Sequence, residues 1–591
     1  MGNLRSMADL VIRNGSIVDG TGAPSYVGDI AIEGDRIVGV GSIGDISTSG
    51  ARVIDADGLI VTPGFVDIHT HYDGQITWDP MVAPSSVHGV TTIAVGNCGV
   101  GFAPAKPDSH EWLIGLLEGV EDIPGTALAE GLTWDWESFP EYLDSIEAKP
   151  HTVDVASHVP HSALRTFVMG ERGALHTEAP SDDELAQMAM LLGEALDAGA
   201  IGFATSRTEI HRTNTGAFIP TLTSSERELM ALAEVMRGRP WGVTQLISDC
   251  YLTTDEDFAR TEMDLIEEFA RVSARPLSFT VQQPYHAPER WRYLFDRVAD
   301  ARSRGIDIKP QVATRPIGVL EGLEATANPF LFCPSFGAVS QLPLDEKVAA
   351  LRDPALRARI MIEHAELMAA VPEGLLRQLS GGFDVMFRLS DPVDYELDAG
   401  DSLAAEANRR GIEAVDLAYD TLLEDGGKRL IYIPLFNFAH HNFDDIAEMI
   451  SSPNALFGLS DAGAHCGAIC DASATTSSLV VWARDRRHGE RLPIESLVHG
   501  HTQRGAAHMG WMDRGVIAPG YLADINVIDL EALACRPPRI VHDLPAGGRR
   551  LVQDAAGYRA TIKSGAITFE NGEHTGELPG TLLRGARSLT A

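Results

Sequence analysis

The sequence predicts an α/β fold, a (β/α)8 barrel carried between the two halves of a composite β-sandwich, with an insertion between barrel strands seven and eight. Three observations support it. Short β-rich runs with Asn-Gly and Gly-Asp turns occur at both chain ends, the middle alternates apolar runs with amphipathic helical stretches, and three of the apolar runs end in residues able to hold a metal ion. At 591 residues the chain exceeds one ordinary domain, and its 44% hydrophobic composition suffices for a large core. Two or three structural units are expected.

From Asp9 to Thr62 the runs Leu10 to Gly15, Asp29 to Gly34 and Arg36 to Gly41 read as a small antiparallel sheet. The same texture returns in Ala523 to Asp529 and Ala560 to Thr568, so residues 1–62 and 513–591 are assigned to the composite sandwich and 63–512 to the barrel. The stretch Val61 to Asp73, Val-Thr-Pro-Gly-Phe-Val-Asp-Ile-His-Thr-His-Tyr-Asp, is an apolar strand after a Pro-Gly turn that ends in two histidines one residue apart. Val90 to Gly99 is a β-branched run closing on Asn97-Cys98-Gly99. Five further strands are expected in Thr152 to Ala156, Ala200 to Thr205, Trp241 to Ile247, Pro276 to Val281 and Ile306 to Val312, separated by helices such as 182–196 and 225–236. Ala455 to His465 supplies the eighth and delivers Asp461. The gap from Val312 to Leu456 is too long for one crossover, so residues 317–428 are expected to form an inserted lid or subdomain.

With 47 basic against 83 acidic residues the formal charge is −36, which argues against nucleic acid or an anionic membrane as partner. The six cysteines, Cys98, Cys250, Cys333, Cys466, Cys470 and Cys535, form no compact framework and are expected as reduced thiols in a cytoplasmic protein. Cys466 and Cys470 read as small core residues. No transmembrane run or signal-peptide core is visible. Residues 1–6 match a loose myristoylation pattern that is short enough to arise by chance, and Met7 could equally be the natural start. A homo-oligomer stays open.

Side chains at i and i+2 of a strand share a face, so His69 and His71 can present two imidazoles to one point beyond the strand's carboxyl end. That is the end at which (β/α)8 barrels carry their active sites, and parallel strands would bring Cys98 and Asp461 to the same mouth. A divalent ion held by His69, His71 and Asp461 would polarise an amide carbonyl and lower the pKa of a bound water to about 7. Asp461 could take the water's proton and pass it to the departing amine. Cys98 reads either as a soft ligand favouring zinc or as a packed thiol beside a tight glycine turn.

These residues make the chain resemble the amidohydrolase superfamily and, within it, the N-acyl-D-amino-acid deacylases (D-aminoacylases). The resemblance runs nearly end to end and includes Gly119-Val-Glu-Asp-Ile-Pro124 and Asp513-Arg-Gly-Val-Ile-Ala-Pro-Gly520. It implies a barrel between sandwich halves, Asp461 as catalytic acid/base, His69, His71 and Cys98 as metal-site residues, and a small-molecule N-acyl-amino acid, most often of D configuration, as substrate. Such deacylases carry zinc-ligand histidines on strands five and six, whereas this chain has Gln245 and Gln282 or Gln283 there. Other amidohydrolases bridge two metals with a carboxylated lysine on strand four, yet Ala200 to Arg207 contains no lysine. One divalent ion per chain, zinc before others, is therefore expected, with His286 a candidate substitute ligand.

After strand four, Arg207, His211 and Arg212 fall in a loop at the active end. Arginine pairs bidentately with carboxylate, so Arg207 is expected to clamp the substrate's free acid, or else to tie the loop to acidic neighbours. His211 and, beyond strand three, His161 with Arg165 are further substrate-binding candidates. His465 is expected behind Asp461, and His440 and His441 either line the pocket or face solvent. Rival readings are hydrolysis of a cyclic amide or another N-acylated small molecule, and a non-catalytic scaffold, which Gln245 and Gln283 would allow.

Overall fold

Eight apolar runs become the parallel strands of one barrel in the computed structural model, which describes residues 8–43, 46–372 and 374–589. The myristoylation-like residues 1–6 and Met7 lie outside the described residues. In order the strands are Phe65–Asp67, Val90–Val95, Asp154–Pro160, Gly202–Arg207, Val243–Ser248, Leu277–Thr280, Ile308–Val312 and Leu456–Phe457. Each pairs in parallel with the next. Between the eighth and the first the circle closes through a parallel bridge of Thr70 with Ala462, where His71 N donates to Ala462 O at 2.8 Å. Nearly every strand residue is buried, as expected of parallel strands packed on both faces.

Local signals explain where the crossover helices start and stop. Asp182–Ala198 begins in a capping box in which Ser181 and Glu184 satisfy each other's backbone, and it ends at Gly199 in the left-handed region. Ser225 caps Glu226–Arg237, and Asp255 caps Glu256–Ser273 by accepting from two backbone amides. Between strands seven and eight lies a three-stranded antiparallel sheet of Ile317–Glu321, Ile431–Phe436 and Phe387–Arg388, accompanied by helices that include Pro354–Ala370, Leu375–Gly381 and Ala414–Leu422. No helix among the described residues is long and apolar enough to cross a membrane.

The two chain ends meet in one nine-stranded mixed sheet. Its seam is Ile60–Pro63, parallel to Leu10–Ile17 on one side and antiparallel to Ile525–Ile528 on the other. Alternate residues Leu10, Ile12, Ile30 and Ile32 share an apolar cluster with Ile525, Val527 and Ile562, so neither terminal half buries that face alone. The seam leads directly into barrel strand one through Gly64, where a Cβ would stand 2.3 Å from Thr91 Oγ1. Only glycine allows the chain to pass there.

A buried ionic cluster joins sheet and barrel. Asp154, at the start of strand three, takes Arg514 Nη1 at 2.6 Å and Lys563 Nζ at 3.0 Å, and Lys563 also reaches Asp524 at 3.0 Å. All four side chains are buried. Burial alone would raise the Asp154 carboxyl, but Lys563 and Arg514 outweigh it and hold the group down at about 2. Because this folded value lies below the unfolded value of about 3.9, the stabilisation is complete above roughly pH 4 and is lost as pH falls towards 2. Asp154→Ala, which strands two buried cations, is expected to cost about 3–5 kcal/mol, read as a lower urea midpoint at pH 7. Asp154→Asn should flatten the decline of Tm between pH 4 and pH 2.

Candidate metal centre

His69 and His71 leave strand one on the same side, and their rings stand 5.4 Å apart, edge to face. With Cys98 they offer three ligand atoms that all lie within 4.8 Å of one another, and all three residues are buried. Cys98 Sγ is 3.4 Å from His69 Nε2, Asp461 Oδ1 is 3.3 Å from that same nitrogen, and Asp461 Oδ1 is 3.7 Å from His71 Nε2. Around a tetrahedral zinc with bonds of about 2.0–2.3 Å, neighbouring donors stand roughly 3.3–3.8 Å apart. The three separations from Cys98 to His69 and from Asp461 to His69 and His71 fall in that range, and the donor set fits such an ion in its chemistry.

Each donor is fixed by a neighbour. Gln311 Nε2 donates to Ser278 Oγ at 2.8 Å, so its Oε1, 2.6 Å from His69 Nδ1, accepts the ring proton and leaves Nε2 as a lone pair towards Cys98 and Asp461. Cys98 sits in the left-handed region with φ 54°, its amide donating to Gln245 Oε1 at 2.6 Å. Gly99 presses that turn against strand four, where a Cβ would meet Thr205 Cα at 2.7 Å. Asp461 and His465 also have positive φ, 45° and 49°. Three non-glycine residues in this costly conformation at one mouth mark a functional site.

Burial raises Asp461, yet the facing His71 and the nearby His69 and His465 hold it well below the usual carboxylate range. His71 is lowered to about 4, chiefly by burial. Burial, reinforced by Glu121 and Asp461, raises the Cys98 thiol. Burial also lifts Asp67 to about 7 and Asp73 to about 8. Four buried or partly buried carboxyls, Asp67, Asp73, Glu121 and Asp461, thus crowd His69 and His71, and a divalent cation would relieve all of them.

A family model described as "Amidohydrolase family" matches residues 52–569. The chain belongs to this family. Over 581 residues it is 27% identical to an N-acyl-D-aspartate deacylase of Alcaligenes xylosoxydans xylosoxydans, spanning 98% of this amidohydrolase and 95% of the relative. A D-aminoacylase of the same organism is 35% identical over 221 residues, 37% of this chain and 40% of that one. Among solved structures, an N-acyl-D-glutamate deacylase from Bordetella bronchiseptica, complexed with zinc and a phosphonate inhibitor, superposes with a TM-score of 0.64 at 22% identity, covering 98% of this chain and 100% of that one. A D-aminoacylase whose binuclear metal centre has been studied gives 0.63 at 22%, over 98% and 99%. These superpositions establish a shared fold.

Several expected contacts fall elsewhere in this amidohydrolase. Arg207 ties its loop to an acidic neighbour, the second of the two roles expected of it: it forks onto buried Glu262 at 2.8 and 2.7 Å and donates to Ser224 O at 2.7 Å. His161 is fully buried, with Nδ1 on Thr205 Oγ1 at 2.9 Å and Nε2 on Glu228 Oε1 at 3.1 Å, so it has no face for a substrate. Arg165 shares that Glu228 at 2.5 Å. Gln283 turns away to Asp445 and Ala439 N, and exposed His286 is held by Leu252 O. His440 faces solvent against Asp445, whereas His441 lines a cavity of about 650 Å³ with Ile210, Leu252, Tyr285, Leu375 and Phe436. His211 does belong to the mouth: it is half-buried, is held by Ser206 Oγ at 3.0 Å, and is lowered to about 3 by burial and by the neighbouring His71 and His465. Cys466 and Cys470 are buried free thiols raised to about 12 by burial.

Sequence reading missed Gln311 and Glu121. The first shows only as a polar residue inside the apolar run Ile308–Val312. The second shows as an acid in the last turn of His110–Glu121, where the helix dipole disfavours a negative charge.

Arg207→Ala should change KM for carboxylate-bearing substrates by less than about twofold while lowering stability by roughly 3 kcal/mol, because Glu262 is left buried and unpaired. Steady-state kinetics beside urea unfolding separates the two effects.

Proposed function

We propose that this amidohydrolase removes the acyl group from N-acyl-D-amino acids, hydrolysing a linear amide to a carboxylate and a free amino acid. The observation that carries the reading is the Asp461 carboxylate beside both His69 Nε2 and His71 Nε2, with Cys98 Sγ at the same point. Similarity along almost the whole length of an N-acyl-D-aspartate deacylase supports the substrate class.

His69, His71, Cys98 and Asp461 would hold one divalent ion, zinc before harder cations because of the thiolate, and that ion supplies Lewis acidity towards the amide carbonyl. Asp461 has 17% of its side chain exposed against 1% and 2% for the two histidines, so it is the group that faces an incoming substrate. Its carboxylate takes a proton from the attacking water and returns it to the departing nitrogen, which then leaves as a neutral amine. His211, kept neutral by burial, is placed to hydrogen-bond the substrate at the same mouth. The cavity lined by Leu375, Phe436 and Ile210, the chain neighbour of His211, has a size typical for small-molecule sites and would take the rest of the substrate. Free, buried cysteines favour a cytoplasmic location.

Elemental mass spectrometry of the purified protein should find near one zinc per chain, and removal by a chelator should abolish turnover that added zinc restores. Asp461→Asn is expected to lower kcat about 10²–10⁴-fold on an N-acyl-D-amino acid with KM changed much less. Unchanged turnover in that variant would remove Asp461 from the chemistry. Cleavage of N-acyl-L-amino acids alone, in a panel of both enantiomers, would overturn the assigned handedness.

A further inference from the structure

The helix His110–Glu121 follows barrel strand two and runs its carboxyl end into the metal centre. Glu121, its last residue, is an acid at the end of a helix where unsatisfied carbonyls already carry partial negative charge. It is also only 2% exposed. Two unfavourable terms at one residue call for a compensating partner. Oε1 lies 3.2 Å from His71 Nδ1, and these two buried atoms have no other polar group to pair with and no hydrogen bond as they stand, while Oε2 lies 3.9 Å from His465 Nε2. The backbone strengthens the same junction: His465 N donates to Glu121 O, and Asp122 accepts from Gly467 N at 3.1 Å. The helix end is thus stitched to the loop that follows Asp461.

Building on the metal reading above, we propose that Glu121 is a positioning residue for the centre. Its carboxylate accepts the Nδ1 proton of His71, which leaves the Nε2 lone pair on the side where Asp461 stands, while the Glu121 carbonyl accepts from His465 N and ties down the loop that carries Asp461. His69 receives a different backing, the neutral amide oxygen of Gln311 at 2.6 Å. A carboxylate behind a ligating imidazole makes it a more basic donor than an amide does, so His71 becomes the stronger nitrogen ligand of the pair.

The test compares full-length wild type with Glu121→Gln, both stripped by a chelator, in zinc affinity by competition with a chromophoric chelator and in Tm with and without zinc. Glu121→Gln is expected to bind zinc about 10–100-fold more weakly. Its metal-free Tm should be unchanged or higher, because a buried charge has been removed, and its Tm gain on adding zinc should shrink in step with the lost affinity. Equal zinc affinity in the two proteins would overturn the inference. So would a weaker affinity accompanied by a lower metal-free Tm, since that pattern marks a purely structural residue. If Glu121→Gln does not fold, Glu121→Asp, which withdraws the carboxylate by one methylene, is read by the same criteria. A wild type that binds no zinc would overturn the metal reading itself, and this inference with it.

Discussion

The parallel bridge between Thr70 and Ala462 closes the barrel, and the arrangement of the metal centre depends on it. Strands one and eight are the shortest in the barrel after its eight members are laid side by side, so little ladder joins them. What the bridge does is place the His69-Thr70-His71 run directly against the turn that carries Asp461. The amide of His71 is itself one of the closing hydrogen bonds. Backbone closure and assembly of the site are therefore one event, and the positive φ angles of Asp461 and His465 are sustained by contacts on both sides of that seam.

Around the seam the protein invests polar groups in holding donors still. Gln311, Gln245 and Glu121 each come from a different element and each fixes a different member of the set: the ring of His69, the backbone of Cys98 and the ring of His71. Gln245 shows how a residue can stand beside a candidate metal site without being one of its ligands. Its oxygen is taken by an amide, and its role is to hold the sharp turn in which a thiol can point inwards. Such support from outside the ligand set is what gives a metal site both affinity and a defined open side.

Arginine in this chain serves architecture more than recognition at the positions where the distinction matters. Arg207, Arg165 and Arg514 are each paired with a buried acid of the same protein. A forked guanidinium–carboxylate pair inside a fold is indistinguishable in sequence from one awaiting a ligand, since both need only an arginine in a loop near a barrel mouth. The −36 formal charge makes internal capture the easier fate, because acids outnumber bases along the whole chain.

The sequence by itself determined the barrel, the meeting of its two ends in one β-domain and the gathering of His69, His71, Cys98 and Asp461. Those features rest on periodicity and on residues at strand ends, and both are local properties of the chain: the apolar runs, the capping residues and Gly64 each act within a few positions of themselves. Tertiary structure alone decided which polar neighbours serve the site. Glu121 lies 50 residues from His71 and Gln311 lies 242 from His69, and no local pattern encodes pairings across such separations. It also gave Arg207 and His161 their buried acidic partners, for the same reason: whether a buried polar group is free or satisfied depends on partners that only folding supplies.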